Sequence, residues 1–295
     1  MRSYLKQPFF SIIIPTYNHA HLIRKCLDSV INQSLSNWEA IVVNNFSEDN
    51  TIEIVNSYSD DRIRLINYKN NGVIGASRNH GFKAAKGNWI CFLDSDDWYK
   101  TDRLEVLSKL DLDNFDLVYH PLLIWSNGMS NSKTPVRQLD MNNPYKDLLY
   151  NLNTIATSST CIRRDFFLKN EGFSECKELI GVEDFDLWVR LAKSGMKAML
   201  VNLELGYYYV GESNTTYKDE RQINRLNAVY LPYINNPGTL SDQKIRSALN
   251  YLIARVYLAN KQPKKAIKYF LKSFFFGSTA IKIRSIYYLL NIYRK

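Results

Sequence analysis

Cysteine is scarce in this chain, and none of it stands at a paired spacing. Cys26, Cys91, Cys161 and Cys176 are scattered over 295 residues without a Cys-x-x-Cys, three of them in or beside apolar runs. Such spacing argues against a disulfide framework or a zinc site and for buried free thiols in a reducing compartment. The four histidines, none paired at metal-ligand spacing, agree. No uncharged apolar stretch reaches about 18 residues, so no membrane span is expected. The first apolar run, 9–14, is stopped by Pro15 with no small-residue cleavage site behind it, so no secretory leader is expected and the default address is the cytoplasm.

Acid is missing from one region only. Net charge is +9, yet residues 244–295 hold 12 Lys plus Arg and no Asp or Glu, leaving 26 basic against 29 acidic residues before them, a balance of −3. The basic character belongs to the carboxyl-terminal tail. No RNA- or DNA-binding motif accompanies it, so no nucleic-acid partner is expected. Composition is otherwise ordinary, at 45% hydrophobic and 23% charged, and the length suits one large domain or a domain with an appendage.

The segment 89–98 (WICFLDSDDW) is the centre of what is present. An apolar run of strand length is followed by three carboxylates in four residues, Asp94, Asp96 and Asp97. Acids this close repel one another in a dry site unless a cation or water intervenes. The spacing puts Asp94 and Asp96 on one side of an extended turn, where hard oxygen ligands hold Mg²⁺ or Mn²⁺ together with a phosphate. An isolated Asp-x-Asp is better explained by a solvated turn whose acids cap the next helix, near Thr101.

The surrounding chain decides between these. Apolar runs at 9–14, 38–43, 62–68 and 89–93 alternate with helix-spaced segments, the first carrying Leu22, Ile23, Cys26, Leu27, Val30 and Ile31 on one face. Four strand–helix alternations in under 100 residues predict an α/β fold, a mostly parallel sheet with helices on both faces. Ligands of such sheets sit beyond the carboxyl ends of the strands. Three strand ends, at 15–18, Asn44-Asn45 and Asp94-Ser95-Asp96, are therefore expected to share one crevice.

Six motifs in order, SIIIPTYN (11–18), VVNNFSEDNT (42–51), Gly72 with RNHG (78–81), FLDSDD (92–97), Gly172-Phe173 and EDFDLW (183–188), resemble those of glycosyltransferase family 2 over residues 9–216. The resemblance implies a GT-A fold, Rossmann-like, with a nucleotide-binding half (9–125) and an acceptor half (126–218), to which 219–295 adds a basic helical appendage. It implies inverting transfer from a nucleotide sugar to a hydroxyl of a glycan or lipid-linked acceptor, as in cell-surface polysaccharide synthesis, with Mn²⁺ or Mg²⁺ on the diphosphate. Asp184 matches the position of the catalytic base. Asp96 is expected on the metal and Asp94 on metal or ribose; Pro15, Tyr17, Asn45, Arg78 and Ser95 are expected around the nucleotide. Arg78 either approaches the nucleotide or pins the acidic turn. Asp97 orients that turn, and Glu183 stands on the acceptor side or in support.

Two departures bear on specificity. The family commonly has Asp-Asp where this chain has Asn44-Asn45; an Asn amide both donates and accepts, so it suits uracil N3–H and O4 but other bases too, and the preference for uridine diphosphate is slight. Where the family often carries Tyr-Arg-x-His, this chain has Tyr208, Tyr209, Val210 and Gly211. For Glu183 and Asp186 a structural explanation is equally good, since acids in a helix's first turn are favoured by the macrodipole. The rival from another class is a non-catalytic transferase-like module docking in a polysaccharide assembly, disfavoured by the presence of both the Asp-x-Asp turn and Glu183-Asp184.

Beyond these motifs, 116–125 reads as one long strand, 126–143 as a polar surface loop partly covering the site, and 157–162 as a strand edging the acceptor half. In the tail, amphipathic helices break near Pro263. Its basic and aromatic residues either meet an anionic membrane surface, giving a peripheral location on its inner face, or leave Ile281, Ile283, Ile286, Tyr287, Leu289 and Leu290 packed on the preceding helices with the charges solvated.

Overall fold

The computed structural model describes residues 7–211, 220–235 and 238–293. The expected boundary at 218/219, the end of the resemblance at 216, and Arg294 and Lys295 lie outside the described residues. By its internal contacts the chain divides into two compact units, the first comprising 1–138, 154–175 and 196–212, the second 139–153, 176–195 and 213–295. The first draws on both of the halves expected from sequence.

In the first unit the chain runs β1 (Phe10–Thr16), α1 (Ala20–Ile31), β2 (Trp38–Asn44), α2 (Thr51–Asn56), β3 (Ile63–Asn67), α3 (Ile74–Ala84) and β4 (Trp89–Phe92), the alternation that the apolar pattern predicts. It continues through β5 (Trp98–Tyr99), α4 (Arg103–Ser108), β6 (Leu117–Tyr119), β7 (Leu123–Ser126) and β8 (Met129–Lys133). The second unit contributes α5 (Pro144–Asn151); β9 (Cys161–Arg163) and α6 (Arg164–Lys169) return to the first. Next come α7 (Glu183–Lys193) in the second unit and β10 (Ala198–Leu200) and β11 (Gly206–Tyr209) in the first. The tail is α8 (Arg221–Tyr230), α9 (Leu240–Ala259), α10 (Pro263–Phe276) and α11 (Thr279–Asn291), all in the second unit.

Seven strands form the main sheet in the order β10-β6-β9-β4-β1-β2-β3, parallel throughout except for β9, which pairs antiparallel with both β4 and β6. This is the mostly parallel sheet expected. The interior strand β1, between β4 and β2, is buried along its whole length because both faces are covered. Ile12 and Ile14 join Ile23, Cys26, Leu27 and Val30 of α1 in one core cluster. Ile13 points to the other face, where Gly81 of α3 comes so close that a Cβ there would lie 2.6 Å from Ile13 Cγ2 and 3.0 Å from Val43 Cγ2. Only glycine lets α3 settle on the sheet at that depth.

Three expectations are corrected. Residues 116–125 are two strands, not one: Pro121, which has no N–H for a ladder, separates β6 in the main sheet from β7 in a second sheet of order β5-β11-β7-β8. The polar stretch 126–143 is not a plain loop, since Met129–Lys133 turns back at Asn127-Gly128, both with positive φ, and pairs antiparallel with β7. Residues 157–162 do not edge a sheet; a single 3₁₀ turn (Thr157–Ser159) leads into β9, which lies inside the main sheet. No disulfide joins the cysteines among the described residues, Cys176 being exposed and the others buried, and Cys91 and Cys161 face each other across β4 and β9 with Sγ atoms 3.1 Å apart.

Within the second unit α5 contacts α7 and α9, and α10 lies along α9. Pro263 takes the first turn of α10, where the missing N–H costs nothing, and this is the break foreseen near that residue. No helix among the described residues is long and apolar enough to cross a membrane.

Candidate functional site

The parallel strands β1, β2 and β4 end on the same side of the sheet, and beyond their carboxyl ends the first unit has a cleft of about 350 Å³. Pro15, Thr16, Tyr17, Asn45, Asp94, Ser95 and Asp96 line it, with His19, Asn70, Gly72 and Ile74 completing the wall. Thus the three strand ends named from sequence do converge. Of the residues expected at the nucleotide or metal, Pro15, Tyr17, Asn45, Asp94, Ser95 and Asp96 share this cleft.

The polar loops are set by side chains bonding to backbone. Asn18 adopts positive φ; its N–H donates to Ser47 Oγ (2.9 Å) and its Oδ1 accepts from Glu48 N–H (2.8 Å), tying the end of β1 to the loop after β2. Asn44 is fully buried and accepts from both the N–H and hydroxyl of Ser47, so it is a structural residue. Asn45 faces the cleft, and its Oδ1 accepts from the Asn70 backbone N–H at 3.0 Å. One oxygen lone pair is thereby used, which leaves the amide hydrogens as the stronger resource for a base.

Arg78 pins the acidic turn. Its guanidinium, on a side chain only 3% exposed, donates to Asp94 Oδ1 at 2.7 Å and lies 5.0 Å above the Phe173 ring. Of the two roles open from sequence, this contact supplies the second. Phe173 is held in turn by Asn79, which accepts from its N–H (2.9 Å) and donates to its carbonyl (2.8 Å). Gly172 makes that clamp possible: it has φ +67°, and a Cβ would lie 2.5 Å from Asn79 Oδ1. The core-facing Phe after a tight turn is as expected, with Phe173 packed edge-on against Phe92.

The acids of the turn differ sharply. Asp97 is 1% exposed; its Oδ1 accepts from Tyr209 N–H at 2.9 Å, joining the turn to β11. Burial, then the nearby Asp96 and Asp94, push its carboxyl well above the usual range, against hydrogen bonds from Ser158 and Tyr209. Ser158 also accepts from the Asp94 N–H at 3.1 Å. Asp97 thus ties the turn to β11. Asp96 lines the cleft, and burial together with Asp94 raises its carboxyl to about 7.

A divalent cation fits this turn. It would offset the burial and the repulsion from Asp94 that together drive Asp96 toward its neutral form. No group of three or more His, Cys, Asp or Glu among the described residues is arranged to hold a metal unaided, so a cation here would complete its shell with substrate oxygens, as Mg²⁺ and Mn²⁺ sites commonly do. Thr16 Oγ1, buried and without a hydrogen-bond partner among the described residues, offers a further oxygen at the same cleft.

His19 and Asn70 were missed from sequence, and Thr16 was foreseen only as part of the strand end 15–18. His19 Nδ1 is 2.7 Å from Ser95 Oγ; burial, then His21, lowers its pKa against the pull of Asp94 and Asp49. The position of His19 immediately after the 11–18 motif was the available signal. Asn70 carries none, because only its bonds to Asn45, Ser77 and Gly72 give it a place.

Glu183 and Asp184 belong to the second unit, in the first turn of α7. Glu183 is buried and accepts from Gly181 N–H at 2.6 Å. Asp184 is half-buried, and Asp186 pairs with Arg190 at 2.8 Å. Leu187, Trp188 and Leu191 are fully buried, so the apolar stripe anchors the helix that carries the acids.

Such a sheet, with a carboxylate turn at its strand ends, is the GT-A fold. The family model described as glycosyl transferase family 2 matches residues 11–171, more than half of the chain, and the chain belongs to that family. A second model, the N-terminal domain of galactosyltransferase, matches 137–213. The putative glycosyltransferase EpsH of Bacillus subtilis is 40% identical over 116 residues, 39% of this chain and 33% of its own. This chain thus spans about a third of that relative's length. The UDP-Glc:alpha-D-GlcNAc-diphosphoundecaprenol beta-1,3-glucosyltransferase WfgD of Escherichia coli is 28% identical over 247 residues, 82% of this chain and 92% of its own. Among solved structures, S. aureus TarS 1-349 in complex with UDP superposes with a TM-score of 0.64 at 20% identity, covering 97% of this chain and 91% of that one. The mannosyltransferase PcManGT from Pyrobaculum calidifontis, in complex with GDP-Man and Mn²⁺, gives 0.61 at 18% identity, covering 98% and 82%. At these identities the two structures speak for the fold.

Proposed function

We propose that this chain is an inverting glycosyltransferase that moves a sugar from a nucleoside diphosphate to a hydroxyl of a glycan or lipid-linked acceptor, in cell-surface polysaccharide synthesis. The observation that carries the reading is the cleft at the ends of β1, β2 and β4, walled by Asp94, Ser95 and Asp96. Its volume suits a nucleotide-sized ligand, since small-molecule sites commonly run from about 300 to 1,000 Å³. Tyr17, 48% exposed, offers a ring face to the base, and the Asn45 amide hydrogens suit a base carbonyl. Uridine diphosphate is the favoured carrier: WfgD is named for UDP-Glc and TarS was solved with UDP, although PcManGT holds GDP-Man.

Asp96, with Asp94 beside it, would hold Mn²⁺ or Mg²⁺; when bound, the cation offsets the negative charge that develops on the departing diphosphate. Arg78 keeps Asp94 in place. In the reaction the acceptor oxygen bonds to the anomeric carbon while the bond from that carbon to the diphosphate oxygen breaks on the opposite face. Asp184, at the family's base position, takes the hydroxyl proton, and the diphosphate leaves with the bonding electrons. Such a base is worth about 10² to 10⁴ in rate. Glu183 supports the turn before α7 through Gly181. A cytoplasmic address belongs to the same reading, in accord with the buried thiols of Cys26, Cys91 and Cys161.

The deciding experiment is a screen of nucleotide sugars for hydrolysis and for transfer to a lipid-diphosphate-linked sugar, with and without Mn²⁺. Mn²⁺-dependent release of a nucleoside diphosphate supports the proposal. Nucleotide binding with no turnover on any donor and acceptor would overturn it in favour of a docking module.

A further inference from the structure

Helix α11 reverses the usual relation between pattern and burial. Ile283, Ile286, Tyr287 and Leu290 recur at i, i+3, i+4 and i+7, the spacing of a single helix face that ordinarily closes on a core. Here that face is open: the four are 62, 41, 60 and 71% exposed, and Tyr293 beyond them 72%. What α11 buries instead is Ile281 and Ser285. Ser285 Oγ meets Ser273 Oγ of α10 at 2.7 Å, and Tyr288 stacks on Phe270 with centroids 5.2 Å apart. Of the two fates set out for this stripe, packing onto the preceding helices therefore holds for Ile281 but fails for these four.

Helix α10 adds exposed Leu271, Phe275 and Phe276. Eight of the 17 large hydrophobics exposed among the described residues fall within 271–293, a concentration unlike the single scattered side chains that need no explanation. Charge narrows the occupant. From residue 244 onward there is no acid, while Lys264, Lys268, Lys272 and Arg284 are exposed on the same two helices. A second copy seated here would bring two wholly cationic surfaces together with no carboxylate to offset them, a repulsive arrangement. An anionic bilayer satisfies both features, with acyl chains for the stripe and phosphates for the cations.

We propose that α10 and α11 dock this chain on the surface of an anionic lipid bilayer. Helix α11 lies in the headgroup plane with Ile283, Ile286, Tyr287 and Leu290 turned to the acyl chains. Since no described helix can span, the attachment is peripheral. It is independent of the sugar transfer proposed above and is tested without it.

Flotation of the intact chain with phosphatidylcholine vesicles, alone or mixed with phosphatidylglycerol, provides the test. Binding to the mixed vesicles at low salt, falling as salt rises and absent on phosphatidylcholine alone, is expected. Ile283→Ser with Leu290→Ser should weaken it about tenfold or more while leaving the thermal midpoint in place, since both side chains are already exposed. Lys268→Gln, Lys272→Gln and Arg284→Gln together should flatten the salt dependence. A chain that ignores the mixed vesicles at low salt overturns the proposal, as does unchanged binding by the serine variant. A concentration-dependent dimer in sedimentation velocity, lost in the serine variant and accompanied by no vesicle binding, would assign the face to self-association instead.

Discussion

Each unit carries three carboxylates within four residues: Asp94, Asp96 and Asp97 after β4, and Glu183, Asp184 and Asp186 at the start of α7. The composition is nearly the same and the physics is not. After β4 the chain makes a tight turn, closed by Asp97 N–H on the Asp94 carbonyl at 2.9 Å, so the side chains crowd one another in a partly dry space. Two of them are driven toward the neutral form. At α7 the helix distributes its acids around an axis, and each has a partner of its own, Glu183 at the Gly181 N–H, Asp184 at the Phe185 N–H and Asp186 at Arg190. The unpaired N–H groups of a first helical turn also favour negative charge there. A strand-end turn stores repulsion that a cation can relieve; a helix start absorbs charge and needs no ligand to do so.

Breaking the first cluster should cost most. Asp96→Ala is expected to abolish transfer and to remove the Mn²⁺-dependent part of nucleotide affinity, measured by calorimetry, while the circular dichroism spectrum is retained. Unchanged turnover would remove Asp96 from the metal. Next in size is Asp184→Asn, nearly isosteric but unable to take a proton: turnover should fall by about 10² to 10⁴ with donor affinity within a few-fold. Equal collapse of donor binding would make Asp184 a binding or structural residue.

The pH dependence sharpens the contrast further. With its folded-state carboxyl at about 7, Asp96 binds its proton more tightly folded than unfolded. Its contribution to stability without metal is therefore present at about pH 4 and is lost as pH rises toward 7. The same proton competes with a cation, so Mn²⁺ affinity should fall by up to about tenfold per pH unit below 7. Titrations of wild type beside Asp96→Asn, which lacks the proton, would show whether the slope belongs to this residue. The smallest effects are on stability alone. Asp97→Ala removes the buried acceptor of the Tyr209 N–H and should cost about 1 to 3 kcal/mol, whereas Asp186→Ala removes one helical i, i+4 pair worth about 0.2 to 0.5 kcal/mol. Comparable losses in denaturant titrations would erase the distinction between the clusters.

Much of the first unit was legible because its signals are local. A strand buried on both faces must be apolar throughout, and a helix laid on it must show one apolar side, so residues 9–93 could be read element by element. The acids of the turn and the Asn-rich loop stood at strand ends, where an α/β sheet puts its ligands, and the cleft they line was foreseen. Pairing beyond residue 116 was not legible. β6, β9 and β10 are three residues each, too short for a periodicity, and their neighbours in the sheet are remote in sequence. Pro121 marks the break between β6 and β7, but which sheet each strand joins depends on hydrogen-bond partners far along the chain.

The sequence by itself determined the alternating α/β layers, the identity of the strand-end carboxylates, and the net positive balance of the tail, since each follows from residue type and near-neighbour spacing. Only the tertiary structure decided that Arg78 serves Asp94, that Asn45 has its oxygen engaged by Asn70, and that Asp97 is sealed beneath β11. It also decided the fate of the α11 stripe. An i, i+3, i+4, i+7 pattern states that a helix has an apolar face and cannot state what covers it, because burial depends on the surfaces that other elements bring. In α7 such a face meets the interior of its own unit; in α11, Ser285 and Tyr288 take the inner position, and the apolar face is left to the solvent.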